Sequence, residues 1–167
     1  LSPIWQVEKI NSLLNIPDIE EGRPAAFWLL TCSDIKEAEK LAKKLFQRSI
    51  QKKEKIREII FFLEEKVFEN PKSPIIFEGN SSWQLILLGT AASIISQKSQ
   101  KPVFLYKKGE KESPGSVRAP NGFNVVEAMK QCSKVLITFG GHPQAAGFRI
   151  KNENLEKFRD CLVKYFR

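Results

Sequence analysis

The stretch of sequence that decides the fold is VLITFGGHPQAAGFRIK, residues 135–151. Its beginning, Val135 to Phe139, is apolar and β-branched, which predicts a buried strand. Its end, Phe148 to Lys151, predicts a second strand. The middle, Gly140 to Gly147, combines glycines with a proline, so we expect a turn region there. Two strands flanking a glycine-rich turn are therefore expected near the end of the chain.

Segments around this stretch alternate between strand-like and helix-like patterns. Strands are predicted at residues 75–77, 102–106 and 115–119, helices at 82–97, 123–132 and 155–166, and a charged loop at 107–114. Strands that alternate with helices predict an α/β fold, in which helices flank a mixed β-sheet.

A long helix is predicted ahead of the sheet, over residues 34–70. Apolar residues recur there at steps of three and four and form one stripe. Ser33 or Asp34 can cap its start, with Glu37 as the partner in a capping box, and Asn70-Pro71 ends it. Two short helices are expected within residues 1–31, so the chain is predicted to begin with a short helical segment.

The charge of the chain is strongly positive. Its 167 residues carry a net charge of +8, and the stretch from Lys72 to Lys151 holds eleven Lys and Arg, four Glu and no Asp. A basic domain of this kind favours a polyanionic partner, most simply a nucleic acid. The alternative is that the lysines only keep the surface solvated.

The composition excludes catalytic chemistry that depends on many carboxylates and imidazoles. The chain holds three Asp and one His, His142, whereas a two-metal phosphoesterase needs several such groups around its ions. No GxSxG motif is present to supply an activated serine. We therefore expect a binding module, or part of an enzyme whose metal site lies elsewhere.

The cysteines and the apolar runs bear on where the protein works. Cys32, Cys132 and Cys161 contain no CxxC pair, which excludes a zinc ribbon, and we expect free, buried thiols in a reducing cytoplasm. The longest apolar run, residues 83–95, is too short to span a bilayer, and no signal-peptide pattern is present. We expect no membrane partner. Because the chain starts at Leu1 rather than Met, a fragment is expected.

The first candidate binding residues lie in the glycine-rich segment. Gly140 and Gly141 permit positive φ and let a ligand approach the backbone, whose consecutive N–H groups can form an anion nest. His142 can donate a hydrogen bond to a phosphate oxygen. Ala145 and Ala146 are small, so the next segment can pack tightly or begin a short helix aimed at the same anion. The alternative is a structural turn with a solvated histidine.

A second candidate is Gly115-Ser116-Val117-Arg118. Ser116 and Arg118 are two residues apart, so they fall on the same face of the predicted strand. Both can point at one phosphate, Arg118 with a planar guanidinium and Ser116 with a short hydroxyl. The alternative is an ordinary surface arginine on a strand.

These motifs resemble a known family. GGHPQAAGF, residues 140–148, matches the GGHxxAAG signature of the DHH-associated domain of RecJ-like exonucleases and related phosphoesterases. GSVR, residues 115–118, is similar to the GSxRS element of that domain. Further elements of the family are similar, in the same order, to residues 9–15, 45–52, 83–93 and 101–105. FGGH, without an additional glycine, is closer to the RecJ branch than to the oligoribonuclease branch.

The resemblance implies an organisation and an activity. Residues 1–33 would be a helical remnant of the end of a catalytic lobe, residues 34–70 a connecting helix, and residues 71–167 a DHH-associated substrate-binding domain. The implied enzyme is a 5′–3′ exonuclease that hydrolyses phosphodiesters of single-stranded nucleic acid, with DNA favoured. No cofactor is expected in this chain. Mn²⁺ or Mg²⁺ would sit in a DHH lobe that acts in cis and is absent here, so the chain alone is expected to be inactive.

The resemblance also implies residue roles. The residues that would bind substrate phosphate are Ser116, Arg118, Gly140, Gly141, His142, Ala145 and Ala146. His142 would in addition stabilise negative charge that develops in the transition state. The chain departs from the family pattern at Leu14-Asn15, Ser49, Lys52, Gln84, Ile86 and Ala119.

Other functions are consistent with the same sequence. The domain could serve an oligoribonuclease or a nucleotide phosphatase, or it could be a non-catalytic RNA-binding appendage, as in alanyl-tRNA synthetases. An interaction module that dimerises through its long helix is a further alternative, because the apolar stripe of that helix allows such pairing.

Overall fold

The computed structural model describes Ile10, Asn11, Leu14, Ile16 and residues 19 to 167. The chain forms two compact units, Leu1–Lys55 and Ile56–Arg167. Most of the first predicted short helix, including Trp5, lies outside the described residues.

The first unit contains a small hairpin followed by a helix. Strands β1 (Ile19–Glu20) and β2 (Arg23–Pro24) pair antiparallel, and helix α1 (Ala25–Thr31) follows at once. The indole Nε1 of Trp28 donates a hydrogen bond to the carbonyl oxygen of Glu20 at 3.0 Å. The Lys44 ammonium, hydrogen-bonded to Glu20, holds the pKa of that carboxyl below its usual value. Helix α1 confirms the second predicted short helix.

Helix α2 (Ile35–Glu69) confirms the predicted long helix. Asp34 caps its start, because its carboxylate Oδ1 accepts hydrogen bonds from the backbone N–H groups of Lys36 at 2.8 Å and Glu37 at 3.0 Å. These two N–H groups have no partner within the helix, so the cap satisfies them. The helix ends directly before Asn70-Pro71, as the sequence predicts.

A five-stranded mixed sheet forms the second unit and confirms the predicted fold class. Its strands are β3 (Ile76–Asn80), β4 (Val103–Lys107), β5 (Glu112–Arg118), β6 (Leu136–His142) and β7 (Ala145–Lys151). Their order is β3-β4-β5-β7-β6, with β3 parallel to β4 and every other neighbouring pair antiparallel. The accompanying helices are α3 (Leu85–Ser99), α4 (Val125–Gln131) and α5 (Leu155–Phe166). Strands β3 and β6 are therefore the two edges.

One face of the sheet is closed by helices α4 and α5. Phe104, Val117 and Phe148 lie buried on this face together with Phe158 of α5. The rings of Phe148 and Phe158 meet edge-on with their centroids 5.3 Å apart. Burial of these aromatic side chains supplies a large share of the driving force for folding of this unit.

The opposite face is only partly covered. Val103 and Leu105 pack there against α3 and against the second half of α2, through residues that include Leu88 and Leu63. Helix α3 lies over β4 and β5. On β7 the residues of this face are half-buried or exposed, whereas the alternate residues are buried. This half of the sheet, over β7 and β6, is therefore open.

Two expectations for the deciding stretch are wrong. Gly140, Gly141 and His142 belong to strand β6, and only Pro143 and Gln144 form the turn to β7, so Gly140–Gly147 is not a turn region. No short helix follows the glycines, because the small residues there pair with β5 on one side and β6 on the other.

The burial and length of two strands also differ from expectation. Strand β6 is largely exposed rather than buried, because it is a sheet edge with only one covered face. Between Leu136 and Thr138 the register shifts, which leaves Ile137 as an additional residue in a bulge. Strand β5 begins at Glu112, inside the predicted charged loop, because it pairs with β7 down to Lys151.

The expectation of three free thiols is wrong as well. Cys132, directly after α4, is disulfide-bonded to Cys161 of α5, and only Cys32 is free. The pairing is possible because α4 and α5 pack side by side and bring the two Cα atoms to 6.0 Å. The spacing of the cysteines along the sequence did not indicate this disulfide bond.

Among the described residues, every helix is too short or too polar to span a lipid bilayer.

Reduction of this disulfide is expected to destabilise the second unit. The bond closes a loop of 29 residues, and opening such a loop costs about 3–4 kcal/mol of unfolding free energy in the chain-entropy description. Urea unfolding with and without a reductant measures the effect. A Cys32→Ser variant should respond to the reductant like the wild type. Three titratable thiols in the unreduced, unfolded protein would contradict the pairing.

Candidate functional site

The pairing of β5, β7 and β6 brings most of the predicted site residues into two adjacent rows. Arg118 lies opposite Ala145, which lies opposite His142. In the next row, Ser116 lies opposite Gly147, which lies opposite Gly140. Residues directly opposite one another, and those two positions along, share one face of a sheet. We call the part of this face over β7 and β6, together with Ser116 and Arg118 at its border, the open face.

Arg118 is held in place by oxygen atoms that carry no charge. Its Nη1 donates hydrogen bonds to the hydroxyl of Ser116 at 3.2 Å and to the carbonyl oxygen of Val117 at 2.8 Å. No carboxylate forms an ion pair with Arg118 among the described residues. The guanidinium is therefore oriented while its positive charge stays uncompensated, which favours a bound anion.

Gly89 of helix α3 is a site residue that the sequence analysis missed. A Cβ atom at this position would lie 2.9 Å from Nη2 of Arg118 and 3.4 Å from Oγ of Ser116. The absence of a side chain at Gly89 thus leaves room for the guanidinium between the helix and the sheet. Gly89 lies within residues 83–93, which resemble the family, but only the packing of α3 on the sheet shows that it faces Arg118.

The two glycines of β6 serve different purposes. Gly141 has φ +140°, and a Cβ there would lie 2.5 Å from the carbonyl oxygen of Ala145, so the backbone requires glycine. A Cβ at Gly140 would meet no atom within 4 Å. Gly140 is therefore not needed by the fold, and it leaves open space where a ligand can approach the backbone.

His142 is exposed at the end of β6, and its position is fixed by the turn that follows. The backbone N–H of Val125 donates to the carbonyl oxygen of Pro143 at 2.9 Å, and that of Ala119 donates to Gln144 at 3.0 Å. These bonds tie the tip of the hairpin to the start of α4 and the end of β5. The imidazole is thus presented beside Ala145 on a rigid support.

The structure does not bring Gly141 to the open face, since it lies opposite Ala146, and it does not bring Ala146 there either. The side chain of Ala146 is 7% exposed and belongs to the aromatic core on the other side of the sheet. Ala145, its neighbour, is half-buried on the open face. Strand alternation separates them, which the expected turn or short helix did not foresee.

Within the sheet, the titratable groups with shifted pKa values lie towards the opposite edge, on β3 and β4. Burial raises the pKa of the Glu78 carboxyl on β3 and that of the Tyr106 phenol on β4. Both residues are two or more strands away from β6. In the described residues, no group of three or more His, Cys, Asp or Glu is placed to hold a metal ion. The open face can therefore bind an anion with its own residues but does not fit a metal centre.

The fold defines an α/β domain with a mixed five-stranded sheet, one half of which is left open on one face. Residues 72–167 match the model of the DHHA1 domain, and the chain belongs to this family. All elements from β3 to α5 lie within the matched residues 72–167.

Two curated relatives are RecJ exonucleases. The chain is 29% identical over 150 residues to the single-stranded-DNA-specific exonuclease RecJ of Bacillus subtilis, covering 86% of this chain and 19% of the relative. It is 32% identical over 79 residues to the RecJ of Thermus thermophilus, covering 47% of this chain and 11% of the relative. The chain thus spans about a fifth or less of the length of these relatives.

Solved RecJ structures share the fold. The crystal structure of Thermus thermophilus RecJ in complex with Mg²⁺ superimposes with a TM-score of 0.82 at 24% identity, covering 94% of this chain and 24% of that one. A structure of exonuclease RecJ bound to manganese gives 0.75 at 25% identity, covering 85% and 35%. These similarities favour a RecJ-like protein over the alternatives, which were a domain of an oligoribonuclease or nucleotide phosphatase and an RNA-binding appendage as in alanyl-tRNA synthetases.

The contrast between the two glycines of β6 predicts that the same substitution affects stability strongly at one position and little at the other. Gly141→Ala is expected to destabilise the second unit by roughly 2–3 kcal/mol, because the new Cβ collides with Ala145 and the φ is unfavourable. Gly140→Ala is expected to change stability by less than about 0.5 kcal/mol. Urea unfolding of both variants tests this. Equal destabilisation would show that Gly140 is also structurally required.

Proposed function

We propose that this chain is the phosphate-gripping part of a RecJ-like 5′–3′ exonuclease that hydrolyses single-stranded DNA. The observation that carries the proposal is the arrangement on the open face of Arg118 with an uncompensated charge, His142 and the unobstructed backbone of Gly140. The positive charge of the chain and its membership in the DHHA1 family, with RecJ relatives, support the same assignment.

The proposed roles follow from the chemistry of each group. Arg118, oriented by Ser116, offers a planar donor pair to one backbone phosphate. His142 donates to the phosphate that is cleaved and stabilises the negative charge that develops on it. Gly140 lets that phosphate approach the strand backbone closely. Together these contacts position the scissile bond rather than break it.

The metal ions of the proposed reaction belong to a second lobe. Two RecJ structures contain bound Mg²⁺ or manganese, whereas the described residues of this chain do not fit such a centre. We propose that a DHH lobe of the same protein supplies the Mn²⁺ or Mg²⁺ and the attacking water. DNA repair and recombination in the cytoplasm are the processes we propose for the complete enzyme.

Binding of a 5′-phosphorylated single-stranded dodecamer is expected to depend on the open face. Arg118→Ala should weaken binding and flatten the slope of log K against log salt by about 0.7, because a cationic phosphate contact is lost. His142→Ala should weaken binding through the loss of a hydrogen bond to phosphate. Lys157→Ala is the matched control, because Lys157 is an exposed cation on α5, away from this face. If all three variants bind like the wild type, the proposed function is wrong.

The chain alone is expected to bind but not to cleave. Incubation of the pure protein with manganese and the same labelled dodecamer should leave the strand intact on a denaturing gel, because the described residues provide no group of ligands for a metal centre. Release of mononucleotides, abolished by a chelator, would contradict this expectation. Tighter binding of short oligoribonucleotides than of DNA would favour the oligoribonuclease alternative, and a preference for structured RNA would favour the synthetase-like one.

A further inference from the structure

A third row of the open face carries a cation that no motif includes. Arg149 of β7 lies opposite Pro114 of β5 and opposite Thr138 of β6. It follows Ala145 and Gly147 on the same side of the strand, because these positions are two apart. Arg149 is exposed, as is Thr138. The face that holds Arg118 and His142 therefore continues along β7.

The floor between the rows is free of large side chains. Only Ala145 and Gly147 of β7 lie between Arg149 and the hairpin turn on this face, with Gly140 beside them on β6. A Cβ at Gly147 would meet only the carbonyl oxygen of Gly115, at 3.4 Å. An extended chain can therefore lie directly on the sheet from His142 to Arg149.

The spacing of the rows matches a single-stranded nucleic acid backbone. Successive rows are about 6.6 Å apart, since each step is two residues of a strand. Arg149 is thus about 13 Å from the row of Arg118 and His142, roughly the length of two nucleotides of an extended single strand. A strand held at the first row would bring a later phosphate to Arg149.

The charge of Arg149 is free to act on such a phosphate. No ion pair or side-chain hydrogen bond engages it in the part of the chain that the structure describes. Lys151, the next residue on this face, lies opposite the acidic residue Glu112. The row of Arg149 holds no carboxylate, since its other members are Pro114 and Thr138.

We propose that Arg149, with Thr138 beside it, forms a second phosphate subsite of the open face. It binds the backbone of single-stranded nucleic acid about two nucleotides from the phosphate at Arg118 and His142. This inference rests on the proposed function and extends it, because it fixes the direction of the bound strand along β7. With this second contact, the chain would bind strands that reach Arg149 more tightly than shorter strands.

The test compares two substrate lengths in the wild type and four variants. A 5′-phosphorylated dinucleotide reaches only the first row, whereas an octanucleotide reaches both. Arg149→Ala should weaken binding of the octanucleotide roughly fivefold and flatten its salt slope by about 0.7, and should leave dinucleotide binding unchanged. Arg149→Lys should retain most of the salt slope, because the charge is kept. Arg118→Ala should weaken binding of both lengths, and Lys157→Ala of neither.

The outcomes separate the two proposals. If Arg118→Ala weakens binding while Arg149→Ala behaves like Lys157→Ala with both lengths, the subsite at Arg149 is overturned and the proposed function stands. Loss of dinucleotide binding in Arg149→Ala would also overturn it, because the residue would then act at the first row. If Arg118→Ala has no effect, the proposed function itself fails. Arg149 is exposed and unpaired, so circular dichroism should show unchanged folding of its variants.

Discussion

The pairing of β5 with β7 is the constraint on which the rest of the second unit depends. Seven consecutive residue pairs, from Glu112–Lys151 to Arg118–Ala145, set the register of the sheet. A slip by one residue would exchange the two faces, so that Arg118 would enter the aromatic core and Val117 would face solvent. The apolar side chain of Val117 opposes this slip, since its complete burial would be lost. The positions of the site residues therefore follow from the packing of the core.

Helices cover the two faces of the sheet unequally, and this leaves the residues of the open face accessible. Helices α4 and α5 close the aromatic side, whereas α3 reaches only as far as β5 on the other. Gly89 lets α3 approach closely enough to hold Arg118 at the border of the covered and open halves. An arginine here is half-buried and oriented, so little conformational entropy is lost when it binds an anion.

The sequence allowed the fold class, the long helix and a cap at Ser33 or Asp34 to be predicted, because periodicity and capping are local properties. It also indicated Ser116, Arg118 and His142 as candidates. The assignment of Gly140 to a turn failed because glycine ordinarily interrupts strands, and only the partners of β6 make a strand possible there. Gly89, Arg149 and the Cys132–Cys161 bond were not predicted, because each depends on which distant segment lies opposite.

The exposed edge of β6 has a consequence for solubility. An unpaired strand edge invites a strand of another molecule to add to the sheet. Here the bulge at Ile137 breaks the regular spacing of donors and acceptors, and Gly140 and Gly141 make the end of the strand a poor template. The features that leave the backbone accessible to a ligand thus also discourage aggregation. A site on a sheet edge is compatible with a stable, dispersed protein for this reason.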